Sequence, residues 1–512
     1  MKKIFRYLLY VLMWIAIAGC DLDISPEDSM TGDQMSNTPG GLNSLVNGCY
    51  SILKDDQEGQ SDNCWYLRQY FQMSDFSSDD VTYGWGTEDN LNMIFKYDQR
   101  TPELENFTSF WTNNYKLIYA ANVAIGIADK SEASEENNYL KGEALFLKAF
   151  AMHNLVRYFA KPYSEENKSL PGIIIRESGT DSENKARSSI EQTYTYILDL
   201  LGQAETAFSN AASTRSKNKG LASIGAVDAL FSRVYLYMRD YDKCIEYSTK
   251  VIESGTYALE TAEQFPTYFR QAYSEPETIW CVKMIQTDDQ ESASVASMIM
   301  TAGGGCWGEE GYSPSVLADM GYGSATLREA DVRSKYVEPA NVNSSNITLY
   351  PCSKFSWQDG LKTLCSPVIF RLAEMYLNRA EAYAHKNETQ KALDDVNKVR
   401  KNRFIPKEGD DFLYTTNSLT GTNILDLVLK ERRVEFVFEG FRFFDLLRNG
   451  KDIVRNYWGY QLESFVPGQN TSSLPGLDVK GVVTPANYDR LIFPIPTQEI
   501  SNNDLCEQNP GY

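Results

Sequence analysis

The sequence predicts a mainly α-helical protein built on helix pairs, with large loop-rich insertions and a few short strands. Apolar residues recur at steps of three and four along several stretches, which places them on one face of a helix. These stretches occur in pairs, with a short polar turn between the two members of each pair. The chain has 512 residues, of which 42% are hydrophobic and 23% charged, a composition typical of a globular protein.

Three helix pairs are predicted, at about 111–160, 222–255 and 369–403. In the second pair, the apolar residues of the first helix are Val227, Leu230, Val234 and Tyr237. Gly255 follows the last apolar position of that pair, where a left-handed helix end is expected. Paired helices of similar length with alanine at the crossings are typical of tetratricopeptide-like (TPR-like) hairpins. Long insertions separate the pairs, so the sequence does not predict a regular solenoid.

The insertions are expected at about 55–110 and 271–368, with a further loop-rich segment at 404–423. They are rich in Gly, Pro, Ser and Asn, which favour turns and loops. Within the second insertion, Glu277 to Ile285 alternates in polarity and is predicted as a strand. Long irregular segments in a compact protein usually carry function. We therefore expect the ligand-binding residues there.

The N-terminus has the pattern of an export signal. Three cationic residues are followed by an apolar run at 7–17 and then by Ala18, Gly19 and Cys20. The cysteine after Ala-Gly resembles a bacterial lipobox, with Ile17 where Leu is usual, and a secretory signal with an accidental cysteine is the alternative. We predict a signal peptide at 1–19, lipidation of Cys20, an acidic tether at 20–40 and one domain at 41–512. No later segment reaches 18 apolar residues.

Charge and rare residues exclude several functions. The net charge of −20 disfavours nucleic-acid binding, which needs basic surfaces. His153 and His385 are the only histidines, and no zinc motif is present, so we predict neither a metal site nor a cofactor. Eight cysteines remain besides Cys20; most are expected to be buried thiols, with Cys352 and Cys365 the first candidates for a disulfide.

Aromatic side chains in the loop-rich segments are the candidate ligand-binding residues. The first cluster comprises Trp65, Tyr66, Arg68, Tyr83 and Trp85, and the second comprises Trp307, Tyr312 and Tyr322. Aromatic rings pair an apolar face with polar neighbours, which suits the C–H faces and hydroxyl groups of sugars. For Arg68, an ion pair with Asp75 is the alternative role. The other prominent tryptophans, interpreted as core or strand residues, are Trp111, Trp280 and Trp357.

The sequence favours a binding protein over an enzyme. Acidic pairs such as Asp79-Asp80 and Glu309-Glu310 invite comparison with glycosidases, but adjacent carboxylates point apart and do not flank a sugar. Both histidines lie within predicted helices, and no G-x-S-x-G motif is present. We therefore predict no catalytic residues.

Charged residues near the C-terminus follow helical spacing. Glu431, Glu435 and Glu439 recur every fourth residue, interleaved with Arg432, Arg433 and Arg442. This spacing predicts ion pairs between neighbouring turns. Gly440 is predicted to end the helix in a left-handed conformation. We interpret these residues as stabilising the fold.

These segments also carry a resemblance to a known family. The motifs are RLAEMYLNRAEAY at 371–383, DDVNKVR at 394–400, KERRVEF at 430–436, FEGFRFFDLLR at 438–448, FPIPTQEI at 493–500 and QNPGY at 508–512. Together they resemble the SusD/RagB family of nutrient-binding lipoproteins over essentially the whole mature chain. One departure is Ala160-Lys161-Pro162, where the family often has a Gly-x-Val-Pro turn.

The resemblance implies a surface-exposed outer-membrane lipoprotein that captures oligosaccharide or polysaccharide. It also implies a partner, a SusC-like TonB-dependent transporter, on which the protein acts as a hinged lid. Two alternatives remain: the same role with peptide cargo, which the acidic charge would suit, or a TPR-like scaffold that holds partner proteins.

Overall fold

The computed structural model describes residues 38, 40–54, 61–83, 90–211, 213–308, 310–341, 348–455 and 482–512. Its helices, α1 to α15 in chain order, are Gly41–Ile52, Tyr66–Asp75, Asn90–Phe95, Glu105–Ala128, Glu135–Phe159, Ile190–Ser209, Ile224–Met238, Tyr241–Glu253, Pro314–Asp319, Ala325–Ala330, Leu372–His385, Thr389–Arg400, Ile424–Phe436, Arg442–Arg448 and Thr497–Asn502. Its strands, β1 to β8, are Val81–Tyr83, Thr278–Cys281, Glu310–Tyr312, Ala340–Asn341, Thr348–Leu349, Val368–Arg371, Ile453–Val454 and Val482–Val483. The predicted mainly α class is confirmed. The signal peptide 1–19, Cys20 and nearly all of the tether 20–40 lie outside the described residues.

Helix α5 is the centre of the N-terminal half. The Ser134 hydroxyl accepts a hydrogen bond from the Asn137 amide, and two glutamates occupy the first turn, where negative charge favours a helix start. From Tyr139 to Phe159 every side chain except that of Lys141 is buried. Helices α4 and α6 both pack against α5. A helix that is covered on all sides organises the packing of its neighbours.

The remaining long helices pack in succession. Helix α7 pairs with α8, α8 packs against α11, and α11 pairs with α12 and contacts α13. Gly255, just beyond α8, has φ 67°, as its predicted role at a helix end requires. Within the described ranges, no helix combines the length and apolar character needed to cross a membrane.

The strands form four two-stranded antiparallel pairs among the described residues: β1–β3, β2–β6, β4–β5 and β7–β8. The predicted strand at Glu277 to Ile285 is present as the shorter β2. Trp280 on β2 is 0% exposed, with its ring 5.0 Å from that of Phe146, and Trp111 is 3% exposed. Both are core residues, as predicted. The same interpretation is wrong for Trp357, which is 41% exposed in a loop with φ 66°.

The suspected Cys352–Cys365 disulfide is wrong. All eight cysteines of the described residues are buried thiols outside any disulfide. Cys352 lies beside Tyr312, whose hydroxyl is 3.2 Å from the Cys352 sulfur. The Cys352 amide donates to the Ile299 carbonyl. Cys365 precedes Ser366, which is held by Gln358 at 2.8 Å. The two thiols thus belong to different packing environments.

A buried charge network joins the C-terminal helices to the rest of the fold. We define it as Glu277, Arg333, Lys354, Arg371, Arg400, Arg403, Glu431, Glu435 and Glu439. Glu435 contacts Arg371 at 2.6 Å, Arg403 at 2.9 Å and Arg333 at 3.1 Å. Burial raises the pKa of Glu435, but the three arginines outweigh burial and hold that pKa well below its ordinary value.

The predicted stabilising role of these glutamates is therefore supported, whereas their predicted partners are wrong. Glu431 pairs with Arg333 and Arg400, and Glu439 pairs with Lys354 and Arg371. The cations come from distant segments because the glutamates face the interior, where an unpaired charge would be costly. Helix α13 also ends earlier than expected. It stops at Phe436, and Gly440, with φ 76°, lies in the turn before α14.

Candidate functional site

Strands β1 and β3 bring the two predicted aromatic clusters together. They are antiparallel, with Val81 opposite Tyr312 and Tyr83 opposite Glu310. The chain that leads to Trp85 therefore runs beside the chain that follows Trp307. Trp85 and the side chain of Tyr83 lie outside what the structure describes. The pairing nevertheless shows that segments more than 200 residues apart lie side by side in the fold.

The start of β1 is fixed by carboxylate–arginine contacts from the C-terminal helices. Arg433 donates to Asp80 at 2.7 Å and to the Asp79 carbonyl at 2.8 Å, and Arg442 donates to the Asp79 carboxylate at 2.7 Å. Burial opposes ionisation of Asp79, but Arg433 and Arg442 lower its pKa below the ordinary value. For Asp80, burial prevails over Arg433 and raises the pKa to about 6.

Arg433 also fixes the segment after β3. Its guanidinium donates to Asp319 on α9 at 2.7 Å and to the Ser315 hydroxyl at 2.8 Å. The Ser313 amide donates to the Asp80 carbonyl at 2.7 Å. Arg433 thus ties both strands of the β1–β3 pair to α13. It is a positioning residue for the loops that continue from these strands.

Next to this pair lies a surface that we call the loop face: segments 61–65, 285–293, 301–308 and 357–363. Contacts between side chains and backbone connect these segments. The Lys362 ammonium donates to the carbonyls of Thr301 and Gly303, and the Thr363 hydroxyl donates to Asp289 at 3.0 Å. The short helical turn Asp62–Cys64 packs against the turn Glu291–Ala293. The four segments therefore form one continuous surface.

Large apolar side chains are concentrated on the loop face. Nine such side chains are exposed among the described residues, and four of them lie here: Ile285, Trp307, Trp357 and Leu361. Trp307 is 54% exposed and Trp357 is 41% exposed. Trp65, at the edge, is half-buried. Exposed tryptophan is unusual enough in a soluble fold for such a concentration to indicate a binding surface.

A glycine turn presents Trp307. Gly303, Gly304 and Gly305 have φ values of 96°, 59° and 86°, a region that side chains with a Cβ rarely adopt. Gly308 is equally constrained, since a Cβ there would lie 2.4 Å from the Ala302 amide nitrogen. The Trp307 amide donates to the Ser297 carbonyl at 2.7 Å. The tryptophan therefore projects from a fixed turn.

Three residues of the predicted clusters do not reach the surface. Tyr66 and Arg68, both on α2, are 0% exposed, and Tyr312 is 1% exposed. Tyr312 packs edge-on against Phe438, with the ring centroids 4.9 Å apart. All three were placed in loops by sequence, but α2 and β3 carry them into the core. We therefore leave all three out of the site.

Three exposed residues of the loop face, Trp357, Ile285 and Leu361, were not predicted as site residues from the sequence. Trp357 precedes the sequence Gln-Asp-Gly, a turn signal within the predicted insertion at 271–368. That signal argued for a loop and against the strand to which the tryptophan was assigned. Ile285 and Leu361 carry no sequence signal that distinguishes them from core residues. Their exposure follows from the folding of the loops around them.

Comparison with known proteins places the fold and its motifs in a family. Residues 318–512 match the model described as "SusD family", and residues 22–236 match the model described as "Starch-binding associating with outer membrane". A SusD superfamily protein from Bacteroides thetaiotaomicron superposes with a TM-score of 0.76 at 25% identity, covering 94% of this chain and 100% of that chain. One from Bacteroides vulgatus gives a TM-score of 0.76 at 25% identity over 92% of this chain and 98% of that chain. These findings support the SusD/RagB family for this chain.

Relatives identified by sequence include further SusD-like proteins. SusD-like protein P38 of Formosa agariphila is 22% identical over 559 aligned positions that cover 100% of both chains. The starch-binding protein SusD of Bacteroides thetaiotaomicron is 23% identical, over 78% of this chain and 59% of that protein. At these identities the fold is shared, whereas individual ligand-contacting residues require their own evidence.

Proposed function

We propose that this protein is a surface lipoprotein that binds oligosaccharide or polysaccharide and delivers it to a SusC-like TonB-dependent transporter in the outer membrane. The family model described as starch-binding and associated with the outer membrane supports the ligand class and the location. The signal pattern ending at Cys20 supports a lipid anchor that faces the cell exterior. Family membership supports the transporter as partner.

The observation that carries the proposal is the exposed tryptophans of the loop face. Trp307 and Trp357 offer flat apolar surfaces, and sugars present flat C–H faces to such rings. A surface with several exposed rings suits an extended chain of sugars. We infer that Trp307 and Trp357 stack against neighbouring sugar units and that Trp65, Tyr83 and Trp85 also contact the ligand.

The carboxylates of this region act as anchors in the proposal, and the protein acts as a binder rather than an enzyme. Asp79 and Asp80 are engaged by Arg433 and Arg442 and are at most 4% exposed. Glycoside hydrolysis needs two carboxyl groups that reach the sugar from opposite sides. Asp79 and Asp80 are committed to the fold instead.

Affinity electrophoresis against a panel of plant, algal and host polysaccharides tests the proposal. We expect one class of polysaccharide to retard the protein, and Trp307→Ala and Trp357→Ala each to weaken binding by about tenfold or more, as for central aromatic contacts. Tyr119→Ala is the matched control, since Tyr119 is 59% exposed on α4, outside the loop face. No retardation by any polysaccharide, together with binding of peptides, would replace sugar with peptide as the cargo.

The transporter partner has a separate test. Affinity purification of the lipidated protein from detergent-solubilised outer membranes is expected to recover a large TonB-dependent barrel in stoichiometric amount. Recovery of soluble proteins without a barrel would favour the TPR-like scaffold function.

A further inference from the structure

A second concave site lies away from the loop face, where the start of α7 meets the end of α8. It is a cavity of about 470 Å³ bounded by residues 216–219, by Ile279 of β2 and, around the end of α8, by Val251, Ser254, Thr256 and Tyr257. This volume is within the range of about 300–1,000 Å³ that is typical of small-ligand pockets. The loop face contains none of these residues.

Asp228 is the acidic residue of the cavity wall. It lies on α7 and is only 9% exposed, and its Oδ1 has no hydrogen-bond partner within the described part of the chain. Lys250 also lines the cavity, but its ammonium is 2.9 Å from Glu205, which takes it as an ion-pair partner. A buried carboxylate oxygen without a donor is costly for the fold. A ligand that donates to it would remove that cost.

The charged groups around Asp228 determine which ligand charge the cavity favours. Burial raises the pKa of Asp228 to about 7, against the opposing effect of Lys250. Lys219 donates to the carbonyl of Glu275, so its charge is also engaged within the protein. A third lysine of the lining, Lys217, is exposed. With Lys219 and Lys250 engaged, the cavity presents the acidic Asp228 and the basic Lys217, so it does not select a ligand of one strong charge.

Hydroxyl and amide groups surround an apolar floor. The polar groups that line the cavity are Ser216, Asn218, Ser223, Ser254, Thr256 and Tyr257. Ser223 precedes α7, and its hydroxyl makes no capping hydrogen bond to the helix. Val251 and Ile279 supply apolar surface. Hydroxyl groups around an apolar floor match a molecule with C–H faces and hydroxyl edges.

Gly225 keeps the cavity wall in shape. A Cβ at this position would lie 2.2 Å from the Tyr257 hydroxyl oxygen, closer than any real contact. The tyrosine therefore rests directly on the first turn of α7, beside Ser223. Any larger residue at 225 would displace Tyr257 and change the cavity.

We propose that this cavity binds a neutral polyhydroxylated molecule of monosaccharide size, whose adjacent hydroxyl groups donate to the Asp228 carboxylate. The site is separate from the loop face and does not depend on the function proposed for it. It gives the protein a site for a single sugar or sugar alcohol in addition to a surface for a chain of sugars.

Isothermal titration of the purified protein with glucose, galactose, mannose, xylose and sorbitol tests this inference. We expect saturable binding of at least one probe, weakened at least tenfold by Asp228→Asn and also weakened by Gly225→Ala. Asp242→Asn, on the exposed side of α8 with an 80% exposed side chain, is the matched control and should bind like the wild type. Circular dichroism establishes that each variant is folded.

The loop-face variants separate the two sites. Trp307→Ala and Trp357→Ala are expected to bind the monosaccharide probe with unchanged affinity, whatever their effect on polysaccharide. Absence of binding for all five probes would overturn the inference. So would wild-type affinity in both Asp228→Asn and Gly225→Ala, or loss of the monosaccharide in the tryptophan variants alone, which would assign the probe to the loop face.

Discussion

The charge network and the loop face differ in how far their side chains are exposed to solvent. Glu431, Glu435 and Glu439 are at most 4% exposed, and each contacts two or three cations from other segments. Trp307 and Trp357 are 54% and 41% exposed and project from turns. The first region satisfies every charge within the protein. The second leaves apolar surface without an internal partner.

This difference explains what the family motifs convey. The motif at 430–436 contributes Glu431 and Glu435 to the charge network, and Arg433 ties β1 and β3 to α13. The loop face contains no residue of these C-terminal motifs. Recognising the family therefore identifies the scaffold and the position of the loops, while the choice of ligand depends on side chains outside the motifs.

The largest effect is expected from breaking the charge network at its centre. Glu435→Gln leaves Arg333, Arg371 and Arg403 with one carboxylate fewer in a buried site. Removing one partner of a buried ion pair typically costs about 3–5 kcal/mol. We expect the free energy of unfolding to fall by about that amount in urea titrations.

Glu329→Gln is the matched control for that variant. The Glu329 and Lys407 side chains are 59% and 72% exposed, and pairs at such positions contribute little. Equal stability of the two variants would contradict the role of the network in holding the fold.

A smaller loss is expected where the two regions meet. Asp79→Asn weakens the contacts of Asp79 with Arg442 at 2.7 Å and Arg433 at 3.4 Å. Hydrogen bonds to charged groups contribute roughly 2 kcal/mol, so we expect a loss of that order. Because β1 would be held less firmly, polysaccharide affinity should also fall. Unchanged affinity in a destabilised variant would show that the anchor serves stability alone.

The expected effect of Asp228→Asn on stability has the opposite sign. The folded state raises the pKa of Asp228 from 3.8 to about 7, so its stabilising effect is complete below pH 3.8 and is lost as pH rises through about 7. The variant does not titrate there. We expect its unfolding free energy to rise relative to that of the wild type by on the order of 4 kcal/mol between pH 4 and pH 8. If the unfolding free energies of the variant and the wild type change in parallel with pH, burial of Asp228 does not destabilise the fold.

The smallest effect on stability is expected at the loop face. Trp357→Ala removes a side chain that is 41% exposed, so the unfolding free energy should change by less than about 1 kcal/mol. Thermal unfolding measures this change. A loss as large as that of Glu435→Gln would show that Trp357 is part of the core packing.

The helices were predictable from sequence because their apolar spacing and end residues are local signals. Gly255 and the helix pairs around it follow from such patterns. The partners of Glu435 were not predictable, since Arg333, Arg371 and Arg403 reach it only after the chain folds. For the same reason, Arg68 was predicted at the surface but is buried, and Trp357 was predicted in the core or a strand but is exposed. A loop-like sequence does not reveal which side chains the surrounding turns leave exposed.

Tryptophan fluorescence during titration with the polysaccharide that retards the protein most tests the central claim most directly. Trp111 and Trp280 are buried and remain as an internal reference. We predict that ligand shifts and quenches the emission of the wild type, and that the Trp307→Ala, Trp357→Ala double variant loses the change while it stays folded. An equal spectral change in the double variant, or no change in the wild type with any polysaccharide of the panel, would contradict capture of glycan by the loop face.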